Sequence, residues 1–316
     1  MTKDSMQPIS KSILDNSAAL PNGVFAATLT PLNNDLSIDY QLLADHCHWL
    51  LANGCHGIVP MGTTGEANSF SVPERIEMLD RLIAFGVPAN RLLVGTGCCA
   101  IPDTVALTRH AVAHNTGGAL VLPPFYYKNV SDDGVFAAFD QIIQSVADPH
   151  LKLYLYHIPQ ITGVPINPAL IARLLKHYPN VIAGIKDSSN DWNNMKALHE
   201  QFPSLRVYAG TEKYLLPLTR IGGAGCISAT TNITCSLANE LYLHRTSHEA
   251  ETLHQRVIAA REVIEKYPVI PALKRLTAMR TGRVSWLNLR PPHITLSEER
   301  AMGLMADLKA AAFPLW

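Results

Sequence analysis

No charge of either sign is in excess along this chain of 316 residues. Its 26 Lys and Arg balance 26 Asp and Glu, and only 16% of residues are charged. Without a basic field nothing would track a nucleic-acid backbone or an anionic membrane surface, so no nucleic acid and no membrane is expected as a partner. Long apolar runs are also missing: nowhere do the roughly eighteen apolar residues of a membrane span follow one another. Asp4, Lys11 and Asp15 divide the first twenty residues, which excludes the apolar region of a secretory signal. Residues 1–20 read as a loosely ordered leader of a cytoplasmic protein. Cysteine is sparse, and Cys47, Cys55, Cys98, Cys99, Cys226 and Cys235 follow neither a disulfide framework nor zinc spacing, which suits free thiols. His46-Cys47-His48 has ligand-type side chains, but helical ligand pairs need i,i+3 or i,i+4 spacing, so no metal is expected there.

What the sequence does have is alternation. Short apolar runs at Val24 to Leu29, Gly57 to Met61, Arg91 to Thr96, Ala119 to Leu122, Leu151 to Tyr156, Val181 to Ile185, Leu205 to Ala209 and Gly225 to Ser228 read as strands. Each is followed by a stretch of helical periodicity: Ile38 to Ala52, Val72 to Phe85, Pro102 to His114, Asp133 to Val146, Pro168 to His177, Trp192 to Gln201, Lys213 to Ile221 and one near Ser236 to His244. Eight such units with no long linker predict an α/β fold, a closed (β/α)₈ TIM barrel over residues 21–247. From 248 to 316 the alternation stops, and a C-terminal helical appendage is expected.

Barrels of this kind carry their working residues at the carboxyl ends of the strands and in the loops that follow. Lys186 stands at the end of the sixth apolar run, before the turn Asp187-Ser188-Ser189-Asn190. Burial among apolar neighbours disfavours a charged amine, and a neutral amine attacks carbonyls to form a Schiff base. The second strand leads into Gly62-Thr63-Thr64-Gly65-Glu66, where backbone and hydroxyls can approach a carboxylate. The fourth and fifth strands end near Phe125-Tyr126-Tyr127 and Tyr154-Leu155-Tyr156-His157. A nucleophile, a carboxylate anchor and tyrosine hydroxyls at one mouth are the parts that imine chemistry needs. Asp187 is expected on the other side of the strand from Lys186, and His157 opposite Tyr156. Gly222-Gly223-Ala224-Gly225 precedes the eighth strand, so close packing explains it better than a phosphate cradle.

Taken together, Gly62-Thr63-Thr64-Gly65-Glu66, Tyr156 before Ile158-Pro159, Gly184-Ile185-Lys186-Asp187 and Gly222 to Ser228 resemble the dihydrodipicolinate synthase / N-acetylneuraminate lyase family over roughly Gly23 to Leu308. The resemblance implies a class I, pyruvate-type aldolase, usually a homotetramer, with no cofactor and no metal. It also implies roles. Lys186 is similar to the imine-forming lysine and Tyr156 to the tyrosine that moves protons. Thr63 resembles the threonine that links this tyrosine to a second one lent by a neighbouring subunit, here Tyr126 or, because the aromatic run is one residue longer than usual, Tyr127. Thr64 resembles the carboxylate-holding threonine, with Gly62, Gly210 and Ile227 among the substrate-binding positions.

One departure bears on the substrate. Where dihydrodipicolinate synthases have an arginine that clasps the carboxylate of aspartate semialdehyde, this chain has Ile161. An isoleucine cannot imitate a bidentate guanidinium. The expected partners are pyruvate or another 2-keto acid and an aldehyde, with 2-keto-3-deoxy sugar acid aldolase as the leading reading. Dihydrodipicolinate synthase, an N-acetylneuraminate lyase-like activity, a keto-deoxy acid dehydratase and a non-catalytic keto-acid-binding regulator are the alternatives. The neuraminate branch would have an Asp-Glu pair after the seventh strand, where Thr211-Glu212 stands.

Overall fold

The computed structural model describes residues 20–313. Its strands β1 (Gly23–Ala27), β2 (Gly57–Val59), β3 (Leu93–Gly95), β4 (Gly118–Val121), β5 (Leu153–His157), β6 (Ile182–Asp187), β7 (Arg206–Ala209) and β8 (Gly225–Ser228) are all parallel and pair in the order β2-β1-β8-β7-β6-β5-β4-β3. An isolated parallel bridge from Ile58 to Leu92 brings β2 against β3 and nearly closes the ring. The fold is therefore a (β/α)₈ TIM barrel. Around it lie α1 (Tyr40–Ala52), α2 (Val72–Ala84), α3 (Ile101–Ala113), α4 (Asp132–Val146), a short α5 (Pro159–Thr162), α6 (Pro168–His177), α7 (Trp192–Gln201), α8 (Leu215–Arg220) and α9 (Thr231–Leu243). Several of these helices begin where a polar side chain satisfies free backbone N–H groups. Ser71 and Glu74 form a reciprocal capping box on α2, and Asn167 accepts from Leu170 N on α6.

Strand alternation sorts side chains into two cores. Phe25, Val59, Leu93, Leu120, Tyr154, Tyr208 and Ile227 fill the barrel interior. Leu153, Leu155, Ile182 and Ile185 point outward to the helices. Tyr154 lies across the interior so closely that a Cβ on Gly184 would stand 2.7 Å from its ring, so this position must be glycine. After the barrel come α10 (Ala250–Glu265), α11 (Val269–Thr281) and α12 (Glu298–Ala310). Their Leu253, Val257, Leu273 and Leu304 join the same buried cluster as Leu237 and Leu241 of α9. Among the described residues no helix is long and apolar enough to cross a membrane.

Four differences from the sequence reading have a clear physical cause. β6 runs on through Lys186 and Asp187, because both side chains are accommodated by alternation, one inward and one outward. α9 starts at Thr231 instead of near Ser236. Its polar first turn is held by tertiary bonds, including Asn232 Nδ2 to Ala27 O (2.7 Å) and Thr231 Oγ1 to Phe25 O (3.0 Å), which override weak helix propensity. The stretch expected as one helix from Lys213 is a 3-10 turn, Glu212–Tyr214, followed by α8. Leu20, assigned to the leader, is buried in the interior cluster, and its carbonyl accepts from Arg206. The rest of the leader, residues 1–19, lies outside the described residues.

Candidate active site

Parallel pairing of β5 with β6 sets Tyr156 opposite Lys186. Both side chains turn into the barrel at its carboxyl end, where Lys186 is only 4% exposed. The Lys186 Nζ lies 4.3 Å from the centroid of the Tyr156 ring, within reach of its negative face. Outward-facing neighbours do different work. Asp187 accepts from Ser189 N (2.8 Å) and Asn194 Nδ2 (2.6 Å), shaping the turn after β6. His157 Nδ1 accepts from Ile166 N at 3.0 Å. Gly222 to Gly225 run into β8 at the amino-terminal end, where a Cβ on Gly223 would meet Leu218.

The loop after β2 supplies the other half of the site. Thr63 Oγ1 and the Tyr156 hydroxyl are 3.3 Å apart. Burial pushes the Tyr156 phenol up, but the Lys186 charge and hydrogen bonds with Thr63, Lys186 and Ser188 outweigh it, holding the phenol below the ordinary tyrosine value. Thr63 and Thr64 are bracketed by two non-glycine residues in the left-handed region, Met61 (φ 57°) and Glu66 (φ 59°). Such backbone is costly and persists only where the surroundings impose it. Here Thr30 Oγ1 donates to Gly65 O (2.8 Å), and the fully buried Glu66 carboxylate pairs with Lys274 of α11 at 2.5 Å and accepts from Arg290 N at 3.2 Å. The threonine loop is thus fastened to the C-terminal helices.

Lys186, Tyr156, Thr63, Thr64 and Gly210 line one cavity of about 370 Å³. At Gly210 a Cβ would stand 2.0 Å from Ser188 Oγ and 2.7 Å from its Cα, so only glycine leaves the mouth open. The remaining sequence candidates fall outside this lining. Gly62 borders a smaller adjoining recess that shares Thr63 and Tyr156. Ile227 is sealed in the barrel interior beneath the mouth. Ile161, which stands where dihydrodipicolinate synthases have their arginine, is 60% exposed on α5, and its neighbour Gln160 lines the cavity. Tyr126 and Tyr127 are each 74% exposed, their rings packed edge to face against one another at 5.3 Å.

Several lining residues were not singled out from the sequence. Ser188 and Asn190 follow β6 directly, where the strand-end rule could have found them. Arg261 and His293 come from the C-terminal helical region, which no barrel rule addresses. Arg261 Nη1 donates to Glu212 Oε2 (2.7 Å), Ser228 Oγ (2.7 Å) and Thr230 Oγ1 (2.9 Å), and its Nε and Nη2 meet Glu265 Oε1 at 2.9 Å. Glu212 is fully buried. Desolvation raises its carboxyl, but Arg261 and the Ser228 and Thr230 hydroxyls win and keep it below the ordinary carboxylate value. Arg261 is therefore a guanidinium already answered by two carboxylates.

Comparisons with known proteins agree with this geometry. The dihydrodipicolinate synthetase family matches residues 20–311. An uncharacterized DapA-like lyase of Chloroflexus aurantiacus is 35% identical over 291 residues, which is 91% of this chain and 96% of the relative. The crystal structure of dihydrodipicolinate synthase from Agrobacterium tumefaciens superposes with a TM-score of 0.85 at 30% identity, covering 92% of this chain and 99% of that one. YagE, a prophage protein of the dihydrodipicolinic acid synthase family from E. coli K12 in complex with pyruvate, gives a TM-score of 0.84 at 26% identity, covering 94% and 100%. This chain belongs to the dihydrodipicolinate synthetase family and is a lyase of the class I aldolase type.

Proposed function

We propose that the chain cleaves or forms a carbon-carbon bond next to pyruvate through an imine on Lys186, acting on a 2-keto-3-deoxy sugar acid. The observation that carries this reading is the placement of Lys186 Nζ against Tyr156, with the Tyr156 hydroxyl next to Thr63. Lys186, once its amine has given up its proton, attacks C2 of the keto acid, and loss of water from the carbinolamine gives the iminium. Thr64 and the amides of its loop hold the carboxylate. As the C3–C4 bond breaks, its electron pair moves into the iminium, and the Tyr156 phenolate takes the proton of the C4 hydroxyl. The aldehyde leaves, the enamine is protonated at C3, and water releases pyruvate from Lys186. The lowered phenol of Tyr156 suits it to both halves of this proton traffic.

The distal end of the cavity supports a neutral, hydroxyl-rich aldehyde. Gln160, Asn190 and His293 offer hydrogen bonds in the same cavity, and among the described lining residues the one guanidinium, Arg261, is compensated by Glu212 and Glu265. A second carboxylate on the substrate, as in aspartate semialdehyde, would find no free guanidinium. The exposed Tyr126-Tyr127 pair leaves a ring available to complete a neighbouring subunit's site, as the proposed homotetramer requires. Incubation with 2-keto-3-deoxy sugar acids, with pyruvate release followed, tests the reading. Turnover of these acids with no condensation of pyruvate and aspartate semialdehyde is expected, and the reverse preference would overturn it.

A further inference from the structure

On the far side of the barrel from the catalytic mouth, α2 and α3 bring three potential ligands together. His110, in the last turn of α3, and His114, at its C-cap, are four residues apart and so project from one side of the helix. Each places Nε2 2.9 Å from the same oxygen, Oδ1 of Asp80 on α2. The two imidazole rings lie 4.6 Å apart. All three ligand atoms fall within 4.8 Å of one another. Despite its 2.9 Å approach, His110 Nε2 is closed off from solvent and makes no hydrogen bond of acceptable geometry. One carboxylate oxygen thus faces two ring nitrogens at equal, ion-pair distance.

We propose that Asp80, His110 and His114 form a binding site for a first-row divalent cation of the zinc type. Imidazole nitrogen and carboxylate oxygen are the donors such ions take, whereas magnesium and calcium prefer all-oxygen sets. With bonds of about 2.0–2.1 Å, tetrahedral donors stand roughly 3.3 Å apart, so each of the two nitrogen-oxygen contacts needs to open by only about half an ångström. The cation would sit among the Asp80 oxygen and the two ring nitrogens, and water would complete its shell. The location favours positive charge. Successive helices of a barrel run the same way, so the negative ends of both the α2 and the α3 dipoles lie at this face. Arg81, next to Asp80, is engaged by Glu77 at 3.2 Å. A cation here would clamp two neighbouring helices of the outer ring, away from Lys186, and so serve stability without entering the reaction.

The test is calorimetric titration of the full chain with zinc chloride and, separately, magnesium chloride, beside thermal melts with and without zinc. The double variant His110→Ala/His114→Ala serves as reference, with Asp80→Asn as a milder second variant. Alanine is the better helix former, so the double variant keeps α3. The expected result is a single zinc site in the wild type and a raised melting temperature on adding zinc. Affinity should be weaker by at least about 10- to 100-fold in the double variant, since a direct ligand is worth no less than the outer partners of a metal site. Asp80→Asn should fall between. Equal zinc binding by wild type and double variant would overturn the proposal, because the ion would then sit elsewhere, as would absence of binding or an equal response to magnesium.

Discussion

Replacing Lys274 with methionine leaves the Glu66 carboxylate buried without its counter-charge, because both side chains are no more than 1% exposed and no solvent can take the lysine's place. Breaking a buried ion pair by removing one partner costs about 3–5 kcal/mol, whereas replacing both partners with neutral groups is often close to neutral. For a domain of this size, taking a urea slope of about 3 kcal/mol/M, the single variant's midpoint should fall by roughly 1 to 1.7 M. The double variant Glu66→Gln/Lys274→Met should recover most of this, apart from about 1 kcal/mol for the Asn288 carbonyl that loses the Lys274 donor. Activity should follow the same pattern. Glu66 holds a left-handed backbone only three residues from Thr63, and a shift of about 1 Å in Thr63 relative to Tyr156 costs on the order of 100-fold in rate. The assay is a urea titration and a kcat measurement on wild type, both single variants and the double variant. If Lys274→Met loses less than about 1 kcal/mol, or if the double variant is as damaged as the single, the idea that this pair fastens the threonine loop is refuted.

Four further outcomes follow from the structure. Tyr156→Phe keeps the ring and removes the hydroxyl, so kcat should drop by about 10²–10⁴ with the fold intact by circular dichroism; Thr63→Val should instead move the alkaline limb of the rate profile to higher pH, because a hydrogen bond that lowers the phenol is gone. Gly210→Ala should impair keto-acid binding and cost about 1–3 kcal/mol in a denaturant melt, since its Cβ meets Ser188 backbone as well as side chain. His46 is fully buried between Asn232 and Arg280, and burial first, then Arg280, hold its ring down at about 3 from an ordinary 6.5, with only the Asn232 bond opposing them. The folded value is the depressed one, so protons bind the unfolded chain first. Its stability contribution is complete above the unfolded value and is lost as pH falls toward the folded one. Between pH 7 and pH 5 this amounts to about 2 kcal/mol in a urea titration, and His46→Gln should flatten the slope.

The barrel was legible because its units are local: each apolar run and each amphipathic stretch carries its own signal. Where the reading failed, distant contacts had the last word. The polar start of α9 is helical because Asn232 and Thr231 bond to β1, some two hundred residues earlier. Lys186 lies inside β6 because register with Tyr156 gives it an inward-facing place. The site divides in the same way. Thr63, Thr64, Tyr156, Lys186 and Gly210 sit at strand ends or just after them, so a rule about strand ends finds them. Arg261 of α10 and His293 of the loop before α12 line the cavity, and Lys274 of α11 holds Glu66, all from a region whose docking no local pattern encodes. Gln160, next to Ile161 on α5, lines the cavity, which the strand-end rule did not single out. The spacing of His110 and His114 was visible all along, and only the approach of Asp80 from α2 makes it chemically meaningful.

Borohydride reduction in the presence of pyruvate, followed by peptide mapping, bears most directly on the chemistry. A stable pyruvyl adduct confined to the peptide bearing Lys186, and lost in Lys186→Arg, is the predicted result. An unmodified Lys186 under those conditions, or an adduct carried by a different lysine, would contradict the imine mechanism.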